Sequence, residues 1–240
     1  MHTRFAAFLL AALSVLLGIG TSALADDAPE KLSPIRVTAN VDLTTDYVFR
    51  GVSQTGRGIA IQGGFDASDG WAYVGTWASN VDFGAAAPDA NLELDLYGGI
   101  RPEIGATTFD FGFIYYKYPN ARSSDHLDYY EFYGGVAEDF HFVQVAAKIF
   151  YTPNNTLDSK EALYYQGNAT VPVTKELSVN GHVGHYAFDR NDLAGPDYTD
   201  WTIGLQYTWG PVTIGGTYGD TDRKGAKDDE GWLTVSHTFQ

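Results

Sequence analysis

A regular alternation of apolar and polar residues between Trp201 and Tyr218 limits the folds open to this chain more than any other feature. Large apolar side chains occupy every second position, and small or polar side chains lie between them. The tight turn Gly210-Pro211 separates two such runs, so the pattern predicts two antiparallel strands joined as a hairpin. The polar face is too small and too hydrophilic to fill the core of a soluble sheet protein. The pattern is therefore typical of an outer-membrane barrel strand, with its apolar face toward lipid and its polar face toward a lumen.

The same alternation recurs along the chain and marks about twelve strands, an even number, as a closed bacterial barrel requires. Short turns and longer loops follow one another without interruption. The longer connections are Asp46 to Arg57, Asp82 to Asn91, Pro119 to His126, Thr152 to Lys160, Asp189 to Asp200, and Asp220 to Glu230. We therefore expect an all-β fold, a single up-and-down antiparallel transmembrane β-barrel, with both termini in the periplasm and the longer loops outside.

The N-terminal residues have the organisation of a secretory signal peptide. Arg4 precedes an apolar run from Phe5 to Ile19, and Ala23-Leu24-Ala25 has the pattern of a cleavage site. We predict a signal peptide over residues 1–25, removed after Ala25, and a barrel domain over residues 26–240. No later stretch approaches the ~18 apolar residues of a membrane helix.

Composition excludes several functional classes. A formal net charge of -15 argues against nucleic-acid binding, because phosphates require a basic surface. The chain contains no cysteine, so it has no disulfide and no thiol metal site. His182 and His185 are close in sequence, but their odd spacing in a strand places them on opposite faces. We predict no cofactor, no metal site and no catalytic residue. The abundance of aromatic residues, with 16 Tyr and 5 Trp, is typical of a membrane barrel with aromatic girdles.

Charged residues at inward-facing positions, or in the first loop, are the candidates for a pore lining. They are Arg36, Asp42, Arg50, Asp66, Glu93, Asp95, Arg101, Asp110, Glu131 and Lys148. The acids could form a lumen that concentrates cations, or they could pair with the basic groups and brace a narrow barrel. Arg50 could enter the mouth as a constriction or brace its own loop against Asp46. The sequence leaves these alternatives open.

Four segments carry a resemblance to a known family. They are Asp46-Tyr47-Val48-Phe49-Arg50-Gly51-Val52-Ser53-Gln54, Ala60-Ile61-Gln62-Gly63-Gly64-Phe65-Asp66, Tyr73-Val74-Gly75-Thr76-Trp77-Ala78-Ser79-Asn80-Val81-Asp82 and Glu93-Leu94-Asp95-Leu96-Tyr97-Gly98-Gly99. In order and spacing the chain resembles the TorF family of porins over essentially its whole mature length. The resemblance implies an outer-membrane barrel with a pore. It assigns no substrate and no functional residues.

Together these observations predict an outer-membrane porin that gives passive diffusion of small hydrophilic solutes or ions and favours cations. Its expected partners are outer-membrane lipid, lipopolysaccharide, the solutes themselves, and the barrel-assembly machinery, which would recognise the last strand ending at Phe239. A closed structural or adhesive barrel without conductance, a membrane-embedded lipid-modifying enzyme and a soluble periplasmic β-sandwich are the alternatives. Whether the loop from Asp46 to Arg57 enters the barrel is also open.

Overall fold

The computed structural model describes residues 35–239, and this part of the chain forms one closed antiparallel barrel of twelve long strands. The predicted fold class and strand number are confirmed. The predicted signal peptide at residues 1–25 lies outside the described residues.

Strand bounds follow the alternation closely. The strands are β1 Arg36–Thr44, β2 Val48–Phe49, β3 Val52–Ser53, β4 Ala60–Asp69, β5 Ala72–Asn80, β6 Leu92–Ile100, β7 Glu103–Ile104, β8 Thr107–Lys117, β9 Tyr129–Asp139, β10 Gln144–Thr152, β11 Ala162–Pro172, β12 Leu177–Phe188, β13 Tyr198–Trp209, β14 Val212–Thr221 and β15 Glu230–Phe239. The short strands β2 and β3 pair with each other in the first loop, and β7 pairs with the start of β8. The other twelve strands form the barrel wall.

Helical structure in residues 35–239 is confined to short segments in the connections. These are the single-turn helix α1 Asn191–Ala194 and the 3₁₀ turns Gly84–Ala86, Ser123–Asp125 and Thr156–Asp158. No helix of the described chain has the length and apolar character needed to cross a membrane.

Three pairings join wall strands that are not consecutive in the chain, and one of them is β1 with β4, on either side of the loop that carries β2 and β3. The first strand β1 pairs with the last strand β15, from Ala39 opposite Phe239 to Thr44 opposite Thr234. Strand β6 pairs with β8 past the short turn that carries β7. Each wall strand in residues 35–239 therefore has a partner on both sides, and this sheet presents no open edge to its surroundings. The connections alternate in length as predicted, so the barrel has a short-turn end and a long-loop end.

The alternation sorts side chains between the outside and the inside of the barrel. On β13, Ile203 and Leu205 are 54% and 55% exposed, whereas Gln206 between the outward positions is 8% exposed. The same outward row continues on β14 with Ile214 and Tyr218. The facing predicted from Trp201 to Tyr218 is confirmed in this hairpin.

At the long-loop end, however, the interior is aromatic and not small and polar. Two clusters of buried rings fill it, one with Tyr47, Trp77, Tyr116, Tyr118 and Tyr129, the other with Phe150, Tyr164, Tyr186 and Tyr198. These tyrosines therefore fill the lumen and do not belong to a girdle on the outer surface. Three pairs of adjacent tyrosines make inward rings unavoidable, because period two points one ring of each pair into the barrel: Tyr115-Tyr116, Tyr129-Tyr130 and Tyr164-Tyr165.

A glycine allows one of these interior rings to lie flat on the wall. Gly112 on β8 is directly opposite Tyr133 on β9. A Cβ atom added at Gly112 would lie 2.4 Å from the Tyr133 hydroxyl and 2.5 Å from its Cζ. The Tyr133 hydroxyl lies 2.5 Å from that of Tyr73, which donates a hydrogen bond to Asp110 at 2.6 Å. The ring therefore connects the wall to an interior charge.

We predict that Gly112→Ala lowers stability by about 1–3 kcal/mol, because the added methyl group displaces the Tyr133 ring from its position. The measurement is the thermal midpoint of unfolding of the refolded protein in detergent. Gly167→Ala on β11 is the matched control, since a Cβ there meets nothing within 4 Å. Equal losses in both variants would contradict the ring-on-glycine contact.

Candidate functional site

The first loop, residues 45–59, folds into the barrel at the long-loop end. Asp46, Tyr47 and Arg50 are all less than a tenth exposed. The hydroxyl groups of Ser53 and Thr55 each donate a hydrogen bond of 2.7 Å to Asp46 Oδ1, which holds the two arms of the loop together. Asp46 thus braces the loop, and Arg50 is free to enter the lumen.

The tip of this loop is a tight hairpin, which we call the inner hairpin (residues 47–54). Val48 pairs with Ser53 and Phe49 with Val52, so Arg50 and Gly51 form a two-residue turn. Both turn residues have positive φ, 48° and 75°. Such turns favour Asn-Gly, and a left-handed conformation costs an ordinary residue about 1–2 kcal/mol. An arginine at this position therefore needs a side-chain interaction that offsets its backbone strain.

The Arg50 guanidinium group makes that interaction with Glu131 on β9. Its Nη1 and Nη2 atoms donate to Glu131 Oε1 and Oε2 at 2.9 and 2.7 Å, a bidentate ion pair. Both side chains are almost fully buried, at 4% and 1% exposure. Burial, the largest single influence, would lower the pKa of Arg50, but the negative charge of Glu131 and the nearby tyrosines together raise the pKa well above its ordinary value. Arg50 is therefore a permanent cation inside the barrel.

Four aromatic rings surround the same guanidinium group. The distances from Arg50 Cζ to the ring centres are 4.2 Å for Tyr164, 4.7 Å for Tyr186, 4.7 Å for Phe49 and 5.1 Å for Phe150. All lie within the ~6 Å range of cation–π attraction. We call Glu131, Phe150, Tyr164 and Tyr186 the arginine cage, because these four residues belong to the barrel wall.

Further contacts attach the inner hairpin to both sides of the lumen. Tyr198 donates a hydrogen bond to the carbonyl oxygen of Arg50 at 3.1 Å. A Cβ at Gly51 would lie 2.7 Å from Asp200 Cβ, so the tip touches the wall directly. On the opposite side, Tyr47 donates to Glu93 Oε1 at 3.0 Å. Burial, followed by the charges of the nearby acids, raises the pKa of Tyr47 well above its ordinary value, which keeps the phenol a hydrogen-bond donor.

A cavity of about 240 Å³ lies inside the barrel against the inner hairpin. It reaches from Arg50 and Gly51 to Glu138 and Asp139, which end β9 at the short-turn end. Most of its lining consists of neutral hydrogen-bonding side chains, including Gln166, Asn168, Asn180, Thr202, Gln206 and Ser236. Most of the lining comes from β9 to β15, with a few residues of β1, β4 and β8, whereas the interior beside β5 and β6 is largely filled by the first aromatic cluster.

The structure joins several of the charged residues predicted from sequence into ion pairs. Arg50 binds Glu131, and Lys148 Nζ lies 2.7 Å from Asp110 Oδ2. Arg101 lies 3.8 Å from the same Asp110 oxygen. These contacts favour the bracing alternative for both acids.

The remaining predicted residues occupy separate positions. Asp42 and Asp66 accept hydrogen bonds from Asn40 and Tyr97, both at 2.7 Å. Asp95 is fully buried, with Trp77 and Tyr116 opposite it on the adjacent strands. Arg36 is exposed at the first residue of β1. All ten predicted residues belong to the described chain, and among them Arg50 alone lines the cavity. The pore-lining role of the others stays a prediction.

Sequence reasoning missed a polar cluster that does line the cavity. His182 Nε2 lies 2.8 Å from Asp200 Oδ1 and 3.0 Å from the Tyr164 hydroxyl, and Nδ1 lies 2.8 Å from Asn168 Oδ1. The spacing of His182 and His185 along one strand does not reveal this cluster. The partner of His182 comes from the next strand, β13. The β12–β13 register places Asp200 opposite Gly184, and Gly184 lies two residues from His182 on the same face of β12, so the two side chains are diagonal neighbours. Among residues 35–239, no group of three or more His, Cys, Asp or Glu forms a metal cluster.

A family model described as "Bacterial protein of unknown function (Gcw_chp)" matches residues 28–236. The chain belongs to this family. The description assigns no activity to the Gcw_chp family, and the name TorF stays a prediction. No curated protein sequence matches the chain.

Solved structures with a similar fold include porins. A KdgM porin matches with a TM-score of 0.59 at 9% identity, over 85% of this chain and 98% of that chain. A KdgM porin in complex with disordered oligogalacturonate matches with a TM-score of 0.56, at the same identity and coverage. At this identity the likeness shows the fold alone, which is a porin-like barrel.

We predict that the Arg50–Glu131 pair is strongly coupled. Glu131→Gln leaves Arg50 buried without its counter-ion and should cost about 3–5 kcal/mol, and the Arg50→Asn, Glu131→Gln double variant should lose less than the sum of the single variants. Thermal midpoints of the four proteins in detergent give the coupling energy. The exposed pair Arg190–Asp192 is the control, and because solvent screens both groups we expect its losses to be nearly additive. Additive losses at Arg50 and Glu131 would refute a functional ion pair.

Proposed function

We propose that this Gcw_chp protein is an outer-membrane porin that gives passive diffusion of small hydrophilic solutes or ions and favours cations. The observation that supports this most directly is the polar cavity inside a closed porin-like barrel, extending from the short-turn end to the inner hairpin. Neutral amides and hydroxyl groups along this path can replace the water that a solute loses on entry. The inner hairpin narrows the path at its long-loop end and sets the size limit.

The proposal places the barrel in the outer membrane with both termini in the periplasm, after removal of residues 1–25. The outward rows of apolar and aromatic side chains on the wall strands support contact with lipid. In this arrangement lipopolysaccharide surrounds the long loops. The last strand, which ends at Phe239 and pairs with β1, is the segment offered to the assembly machinery.

Cation preference is supported by the charges of the cavity. Four carboxylates line it, Asp46, Glu138, Asp139 and Asp200, whereas its arginine is already neutralised by Glu131. A negative lining raises the local concentration of cations and repels anions. For this reason we do not extend the oligogalacturonate of the KdgM complex, which is a polyanion, to this chain.

The two aromatic clusters give the second candidate function its support. They pack around the inner hairpin at the long-loop end, and a barrel that keeps them in place would be a structural barrel without conductance. The conductance experiment below separates the two candidates, because a stable closed plug gives no channel steps at any voltage.

If the outward-facing residues contact lipid, an arginine should destabilise the protein much more at an outward position than at the neighbouring inward position. Ile203→Arg should destabilise the protein in bilayers by about 2–4 kcal/mol, because it places a charge on the lipid side near the middle of β13. Thr202→Arg, which faces the cavity, is the matched control and should cost much less. Unfolding by denaturant in lipid vesicles measures both. Similar losses would argue that the outward rows do not contact lipid.

For the pore itself, single channels in a planar bilayer under a salt gradient should show discrete steps and a cation-selective reversal potential. The double variant Glu138→Gln, Asp139→Asn should lower the cation-to-anion permeability ratio by about twofold, because it removes two carboxylates from the cavity lining. Asp69→Asn is the control, since Asp69 is exposed at the end of β4 and does not line the cavity. An unchanged ratio in the double variant would remove these acids from the selectivity mechanism.

A further inference from the structure

The arginine cage has the composition of a receptor site for an organic cation. Its carboxylate comes from Glu131 on β9, and its rings come from Phe150 on β10, Tyr164 on β11 and Tyr186 on β12. Four consecutive wall strands therefore supply one ligand group each. Since none of the four residues belongs to the first loop, the cage does not depend on the inner hairpin for its construction.

The cage is held in shape by contacts that do not involve Arg50. Tyr116 donates to Glu131 Oε2 at 3.0 Å, Tyr164 donates to Asp200 Oδ2 at 3.0 Å, and Tyr186 donates to Asn155 Oδ1 at 3.2 Å. Removal of Arg50 therefore leaves a carboxylate and three rings already oriented around an empty volume. A preorganised site binds its ligand without the cost of ordering these side chains.

We propose that the arginine cage is a binding site for guanidinium-bearing solutes, and that Arg50 occupies it as a tethered substitute for such a solute. The inference rests on the proposed function, because the solute reaches the cage through the lumen. Two carboxylate oxygens that accept a parallel pair of N–H donors match a planar guanidinium better than an ammonium group. The rings that flank the group favour the same planar cation.

Two features of the inner hairpin fit the role of a displaceable occupant. The left-handed backbone of Arg50 opposes its binding, so part of the attraction of the cage is offset by strain that a free solute does not carry. The hairpin reaches the cage on a tether of a few residues, which gives Arg50 an effective concentration in the millimolar range. A solute displaces Arg50 only when its concentration and affinity for the cage together outcompete the tethered arginine. Displacement moves the inner hairpin and widens the path through the lumen.

The test uses Arg50→Asn, which empties the cage and suits the left-handed turn better than arginine does. The probe is methylguanidinium chloride at millimolar concentration, with methylurea as the neutral analogue of the same shape. We expect methylguanidinium to raise the thermal midpoint of the variant in detergent by roughly 5 °C, and to reduce its single-channel current reversibly over the same concentration range. Methylurea should do neither.

Three controls separate cage binding from general effects. The wild-type protein should not respond at the same concentration, because its cage is filled. Arg57→Asn should behave as wild type, since Arg57 also has a positive φ in the first loop but pairs with Glu230 outside the cage. Arg50→Asn, Glu131→Gln should lose the response, because the carboxylate of the cage is gone. If Arg50→Asn does not fold, Arg50→Lys replaces it, with a smaller but measurable shift expected.

The outcomes distinguish this inference from the proposed function. A conducting Arg50→Asn channel with no thermal shift and no block overturns the cage as a binding site and leaves the porin in place. A thermal shift in a protein that never conducts keeps the site and removes the porin. An equal response to methylurea, or an unchanged response after Glu131→Gln, also overturns the inference.

Discussion

In the outer membrane that we propose for this protein, backbone amides and carbonyls have no water to bind, and this requirement determines the architecture of the wall. A sheet satisfies it only by closing on itself, so β1 must meet β15 although almost the whole described chain lies between them. Closure fixes which side chains point inward. Successive side chains of a strand point to opposite faces, so every second residue must fit inside the barrel, whether it is small, charged or aromatic.

The protein accommodates these side chains differently at its two ends. Toward the short turns the inward side chains along β9 to β15 are small and polar, and a cavity remains between them. Toward the long loops they are mostly tyrosines, which meet the first loop as it folds in. Two buried ion pairs, Arg50 with Glu131 and Lys148 with Asp110, bring opposite charges together inside the barrel. The cost of removing each pair from water is offset by close geometry and by surrounding hydrogen bonds.

The fold was accessible from sequence because alternation and loop length both report directly on a closed barrel. Strand number, loop order and the facing of β13 and β14 could all be read from residues such as Trp201, Ile203 and Leu205. The site was less accessible. Arg50 was recognised as a candidate, but its contact with Glu131 depends on the path of a loop that carries no periodic signal. Asp200 and His182 meet across strands, so only the register of β12 against β13 brings them together. The aromatic filling was missed because periodicity reports facing and says nothing about side-chain volume.

The position of the inner hairpin has a mechanical consequence. The first loop leaves the wall directly from β1, and the next residue, Thr45, is still hydrogen-bonded to Leu233 of β15, with its amide donating to the Leu233 carbonyl and its hydroxyl accepting from the Leu233 amide. The seam where the barrel closes and the segment that occupies its mouth are thus one continuous stretch of chain. Lateral tension that separates β1 from β15 pulls on the arm that seats Arg50. In the outer membrane that we propose for this barrel, bilayer thickness and lateral pressure act on the wall, and the seam is the point at which they reach the interior.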